Sequence, residues 1–223
     1  NNNDASAEIL TVDGSSATKA LTITGGGAGD ALTGGTANDT INGGDGDDTI
    51  TLDAGGNNTV NGGAGDDTID VDNAGTATLT YQDDIDGGAG SDTLNVSGDE
   101  SDIDFMNVSS VENVTVTTQG STLTLSAYAQ AAGVTTVTLS AAKTTLSAAG
   151  MTNNLTVKTA GTADEAITTG TGDDTIVFTG ATSTLDGNDV INGGAGTDTI
   201  SLNNQGALTA TANLANVTNV EKF

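Results

Sequence analysis

The chain has 223 residues, of which 30 are acidic and 4 basic, for a formal net charge of −26. That balance disfavours nucleic acid and anionic lipid as partners and favours cations. With no Cys and no His, disulfides and thiolate or imidazole metal sites are excluded, which leaves oxygen ligands and hard cations; with no Pro, nothing interrupts a strand ladder.

Residues 1–24 are expected to form solenoid strands leading into a repeat. From Gly25 a nine-residue frame recurs, Gly-Gly-x-Gly-x-Asp-x-U-x with U apolar. Its glycines open a tight loop, its aspartate points into that loop, and its aliphatic residue begins a short strand; the pattern is a parallel β-helix repeat. The first block, residues 25–101, runs through frames 25–33, 34–42 and 43–51. One extra residue, Leu52, shifts the phase to frames 53–61 and 62–70. Position six is then Asp30, Asp39, Asp48, Asn58 and Asp67, and position eight is Leu32, Ile41, Ile50, Val60 and Ile69. After Val71 the pattern lapses for a longer turn through Thr78, Leu79, Thr80 and Tyr81. A partial frame with Asp83 and Ile85 follows, and frame 87–95, with Asp92, ends the block.

Residues 102–168 carry no nonapeptide and are rich in Thr, Ser, Ala, Val and Leu. Period-two runs at Val114–Val116, Leu123–Leu125, Val137–Leu139 and Leu155–Val157 predict strands with one buried face, punctuated by Gly120, Gly133, Gly150 and Gly161. They read as further solenoid coils without metal loops. An Ala-rich stretch at residues 126–132 lacks the alternation and predicts a short helix. The second block, residues 169–201, brings Asp174, Asp189 and, in the full frame 193–201, Asp198; residues 202–223 start the next metal-free coils.

A longer period overlies the short one. Val108, Val111 and Glu112 follow the first block, and Val217, Val220 and Glu221 follow the second with the same internal spacing. About two copies of one module are expected, taken from a longer array, with Phe223 in the start of a strand. No run of about 18 apolar residues exists, so no transmembrane helix is expected.

Two frames make one coil, so Asp30 should lie over Asp48, and Asp48 over Asp67 once Leu52 is counted. Carboxylates about 4.8 Å apart, the spacing of strands in a ladder, repel by roughly 3–4 kcal/mol at an effective dielectric near 20. A column of them needs a counter-ion. Loop carbonyls from two neighbouring coils plus their carboxylates make six or so oxygen ligands, which suits calcium better than magnesium with its strict octahedron. The candidate metal ligands are Asp30, Asp39, Asp48, Asp67, Asp92, Asp174, Asp189 and Asp198, with the loop glycines Gly44, Gly46, Gly63, Gly65, Gly88, Gly90, Gly194 and Gly196. Weaker sites are expected at Asp30 and Asp39, where Ala28 and Ala37 replace the third glycine. The same holds at uncharged Asn58 and at Asp189, whose frame begins Thr184, Leu185, Asp186. Asp47, Asp66 and Asp173, at position five, are solvated acids or outer ligands. With one aliphatic residue per frame in the core, several calcium ions should form part of the folding free energy.

These frames, over residues 25–95 and 169–201, resemble the repeats-in-toxin (RTX) calcium-binding family. The resemblance implies an all-β fold, a parallel β-roll or β-solenoid whose calcium-binding turns are interrupted by metal-free coils. It maps the family's side-chain ligand onto Asp48, Asp67, Asp92, Asp174 and Asp198. It implies export by type I secretion and folding in extracellular calcium. The alternation of nonapeptide blocks with Thr/Ser/Val-rich coils closed by Val-x-x-Val-Glu is similar to bacterial RTX surface-layer proteins and large surface adhesins. The expected role is a structural, non-enzymatic one in an extracellular assembly, with neighbouring copies as partners and no membrane insertion. The alternatives are the RTX region of a larger secreted enzyme or toxin, and an ice- or ligand-binding module using outward threonines such as Thr115, Thr117, Thr122 and Thr124.

Overall fold

The computed structural model describes residues 8–52, 55–71, 79–140, 144–159, 164–179, 185, 187–203 and 214–223. Residues 53–54 of the shifted frame, Thr78, Gly161, and Thr184 and Asp186 ahead of Asp189 lie outside them. Val, Ile, Leu and Thr alternating over three to five residues, with turn residues between, give short strands with one buried face. In chain order these are β1 (Thr11–Asp13), β2 (Thr22–Thr24), β3 (Ala31–Thr33), β4 (Thr40–Asp45), β5 (Thr49–Thr51), β6 (Thr59–Ala64) and β7 (Thr68–Asp70). Next come β8 (Asp84–Ala89), β9 (Thr93–Val96), β10 (Val108–Ser109), β11 (Asn113–Val116), β12 (Thr122–Thr124) and β13 (Thr136–Leu139). The last are β14 (Thr145–Ser147), β15 (Thr156–Thr159), β16 (Ala166–Thr168), β17 (Thr175–Thr179), β18 (Val190–Asn192), β19 (Thr199–Asn203) and β20 (Val217–Thr218).

Every pairing among them is parallel and joins one coil to the next, as the repeat predicts. The odd-numbered strands form one ten-stranded sheet, β1 to β19. The even-numbered strands form two five-stranded sheets, β2 to β10 and then β12 to β20. Coil length varies: Ala31 pairs with Thr49 across a short coil, whereas Thr68 pairs with Thr93 across a longer one. Leu52, the residue that shifts the phase, is buried in the core. The core is a stack of aliphatics, in which Ile50 lies between Leu32 and Ile69 in one sheet and Val60 between Ile41 and Ile85 in the other.

The hand-over between the two smaller sheets occupies one coil. Glu100 bridges to Leu123, opening the β12 sheet, and a 3₁₀ turn at Asp102–Phe105 leads to β10, which ends the earlier one. On the next coil the Ala-rich stretch forms α1 (Ala127–Ala132), as expected from its lack of alternation. Asp102 accepts hydrogen bonds from the Ser126 and Ala129 amides, at 2.6 and 3.1 Å, and so satisfies donors at the helix start. Gly133, with φ of 108°, closes the helix in the left-handed conformation. Among the described residues no helix is long and apolar enough to cross a membrane.

Candidate metal centre

The loops lie along two edges of the solenoid. One edge feeds the ten-stranded sheet and carries Asp30, Asp48, Asp67, Asp92, Asp174 and Asp198; each directly precedes a strand and each is buried. The other edge feeds the smaller sheets and carries Asp39, Asn58, Asp83, Glu165 and Asp189, also buried. The sequence-predicted ligands therefore fall into two columns.

Within a column, each coil's carboxylate takes the backbone N–H of the coil before it. On the first edge, Leu10 N donates to Asp30 Oδ1 (2.7 Å), Asp30 N to Asp48 Oδ1 (2.6 Å), Asp48 N to Asp67 Oδ1 (2.8 Å) and Asp67 N to Asp92 Oδ1 (2.8 Å). That ladder ends where Asp92 N donates to Glu112 Oε2 (2.9 Å). A second ladder runs from Leu155 N through Asp174 and Asp198 and ends on Glu221 Oε2, 2.8 Å from Asp198 N. On the other edge, Leu21 N donates to Asp39, Asp39 N to Asn58 and Asn58 N to Asp83. Position five builds an outer ladder of the opposite sense: Asp66 N donates to exposed Asp47, and Ser91 N to exposed Asp66.

The remaining carboxylate oxygen separates two kinds of loop. In one kind the loop closes on itself. Gly26 N donates to Asp30 Oδ2 (2.7 Å), Gly35 N to Asp39 Oδ2 (2.6 Å) and Gly170 N to Asp174 Oδ2 (3.2 Å). In the other kind Asp48, Asp67, Asp92 and Asp198 each keep a buried Oδ2 with no hydrogen-bond partner. These four are the frames with all three glycines. The second and third of each triplet, Gly44 and Gly46, Gly63 and Gly65, Gly88 and Gly90, Gly194 and Gly196, have positive φ; Gly63, at 121°, is in a conformation that side chains rarely adopt. Ala28 and Ala37 disfavour that conformation in the frames of Asp30 and Asp39, which accordingly close on themselves. The first glycine has no positive φ and answers a different need: a Cβ on Gly43 would collide with the Gly62 carbonyl of the next coil and with Asp48 Oδ2. Asp174, expected among the well-formed sites, takes the self-closed form, and its frame begins with Thr169 instead of glycine.

An unpartnered buried carboxylate oxygen is costly. Burial, and then neighbouring carboxylates, push Asp48 and Asp67 up to about 6. Burial also raises Asp92, Asp174 and Asp198. Each open oxygen lies by its own loop's first glycine and a carbonyl of the next coil: Asp48 Oδ2 by Gly43 and the Gly62 carbonyl, Asp67 Oδ2 by Gly62 and the Gly87 carbonyl. Among the described residues no three acidic side chains converge on one point; the oxygens beside the open Oδ2 atoms of Asp48 and Asp67 are the backbone carbonyls of Gly62 and Gly87. A donor set made wholly of oxygen, with too few protons to satisfy it, fits a hard cation. Glu100 and Glu165 are also buried and pushed up to about 8 by burial, but they lie outside this column: Glu100 takes the strand position opposite Leu123, and Glu165 stacks beside Asp189.

The ladder-ending glutamates, Glu112 and Glu221, are not among the sequence-predicted ligands. Their signal is present in the recurrence of Val-x-x-Val-Glu directly after each block.

Parallel coils, glycine-opened turns and an inward carboxylate column define a cation-binding β-solenoid of the β-roll type. Residues 24–55, 52–73, 80–100 and 183–205 match the RTX calcium-binding nonapeptide repeat, in four copies. The chain thus carries RTX calcium-binding nonapeptide repeats, and calcium is the ion these repeats bind. No curated protein matches it.

Proposed function

We propose that the chain is a calcium-set structural module of an extracellular assembly, such as a surface layer, filament or adhesin stalk. The observation that carries this reading is the ten-stranded sheet, which includes strands from both loop blocks and from the coils between them. Stiffening the loop edge therefore stiffens one body. Asp48, Asp67, Asp92 and Asp198 supply the side-chain ligands, the loop carbonyls supply the rest, and several ions bind along one edge. The self-closed loops of Asp30, Asp39 and Asp174 bind more weakly, because their own N–H groups already occupy the oxygen that would face the ion.

The role is non-enzymatic: with no His and no Cys in the sequence, the aspartates of the column are engaged as ligands. Secretion to the cell surface accords with the family resemblance and with a fold that calcium completes only outside the cell. Neighbouring copies are the partners. Circular dichroism and sedimentation velocity, in chelator and in millimolar calcium, test this. β-Structure and self-association should both rise with calcium. Equal β-content in the two conditions removes the calcium-set reading, and a calcium-folded chain that stays monomeric at all concentrations removes the assembly.

A further inference from the structure

The four open carboxylate oxygens are not all placed between nonapeptide loops. Asp48 Oδ2 and Asp67 Oδ2 face the first glycine of a following loop. Asp92 and Asp198 belong to the last loop of each block, with no nonapeptide loop after them. The Val-x-x-Val-Glu segment comes next instead, outside the residues that match the repeat family.

The two segments are built alike. β10 lies on β8 and β20 on β18, with Val108 paired to Ile85 and Val217 to Ile191. Next come Ser110 and Asn219, with φ of 53° and 54°, the two non-glycine residues of positive φ among those described. Their left-handed turn aims a carbonyl at the preceding loop. A Cβ on Gly87 would collide with the Ser110 carbonyl oxygen, and one on Gly193 with that of Asn219, as one on Gly62 would with the Gly87 carbonyl. Ser110 and Asn219 thus stand where the first glycine of another loop would stand. Two residues later the glutamate reaches back, and its Oε2 takes the N–H of Asp92 or Asp198 as the aspartates do elsewhere. The added methylene of glutamate accompanies a turn of three residues in place of six. Asp92 and Asp198 are 0% and 1% exposed, and their unpartnered Oδ2 atoms lie against Gly87 and Gly193, beside those carbonyls.

We propose that the turns at residues 110–112 and 219–221 each complete a hybrid calcium site. One half is the last nonapeptide loop; the other is a non-glycine turn that contributes the Ser110 or Asn219 carbonyl and the Glu112 or Glu221 carboxylate. This deepens the calcium reading above and rests on it. It also explains why the motif follows both blocks: it terminates a column of ions without leaving the last aspartate unpaired.

Equilibrium dialysis of the full chain against calcium tests the inference. Glutamine keeps an oxygen for the Asp92 and Asp198 amides and removes only charge. Glu112→Gln with Glu221→Gln should therefore regain the parent circular dichroism at saturating calcium, yet bind two ions fewer, or those two about tenfold or more weakly. Asp67→Asn, in a site made of two nonapeptide loops, is the reference. If Asp67→Asn weakens binding and the glutamine pair leaves it unchanged, the turns are plain caps and the inference fails while the calcium reading stands. If neither changes binding, both fail. Should Glu112→Gln not refold at saturating calcium, Glu221→Gln alone, on the last coil, is read with an expected loss of one ion.

Discussion

The first loop block and the coils between the blocks share one sheet and hold their turns by opposite means. In the block, successive coils of the large sheet bury Ile50 and Leu52, Ile69 and Val71, and Leu94 and Val96, and the turn is a stack of carboxylates in which Asp48, Asp67 and Asp92 keep an open oxygen. In the coils between, the large sheet buries the same kind of pair, as with Val114 and Val116 or Val137 and Leu139. Their turns are tied by neutral donors: Thr117 Oγ1 to the Val96 carbonyl (3.0 Å), Ser140 Oγ to that of Val116 (2.6 Å) and Asn153 Nδ2 to that of Val134 (2.9 Å). On the loop edge the aspartate position becomes Thr135 and then buried Leu155. The two regions share one kind of core and differ on this edge: in one the turns stack carboxylates with unpartnered oxygens that an ion would satisfy, and in the other they are tied by neutral groups.

The largest expected effect is on chelation. Hydrogen exchange in chelator should lose protection at β5, β7 and β9, while the amides of β11 and β13 keep more of theirs; uniform loss would erase the distinction between the regions. Next, Asp48→Ala with Asp67→Ala should raise the calcium midpoint for folding by about tenfold or more, read by circular dichroism. An unchanged midpoint removes the stacked-carboxylate model.

Acid should act in the same direction as calcium, more weakly. Without calcium, Asp48 and Asp67 titrate at about 6 in the fold and at about 4 when unfolded. The fold then binds more protons in that window, so its stability falls as pH rises through it. Chelated protein should gain β-structure when taken from about pH 7 to about pH 5; a loss over that range contradicts the assignment. The smallest effect is expected from Ser140→Ala, which removes one neutral tie at a cost of about 1 kcal/mol. That cost, measured by urea denaturation, should leave the calcium midpoint for folding unchanged.

Much of this is legible in the sequence. Position-eight aliphatics mark the core of the first block, and the extra Leu52 marks the shift in coil length, because period and phase are backbone properties that residues report directly. The short helix at Ala127–Ala132 is legible from the missing alternation. The state of each carboxylate is less so. Ala28 and Ala37 mark weaker loops, but that Asp174 closes on its own Gly170 depends on backbone direction, which Thr169 does not announce. The exchange of one small sheet for the other is hidden, because Glu100 has the composition of a loop acid and occupies a strand position facing Leu123. Glu112 and Glu221 read as markers of a module and not as ends of a ladder, since their reach across coils is a tertiary fact.

The long sheet also makes the molecule a gauge of distance. From β11 the ladder passes through β13, β15, β17 and β19 to Lys222, so Asn113 and Lys222 are five coils apart. Strands sit about 4.8 Å apart, so the whole stretch of chain between them advances the axis by about 24 Å. Every coil adds one step, whether it is as short as that from Ala31 to Thr49 or as long as that from Thr68 to Thr93. Insertions within a coil therefore broaden the rod without lengthening it. Reach changes only in whole steps, and equivalent turns of the two modules recur at a fixed pitch.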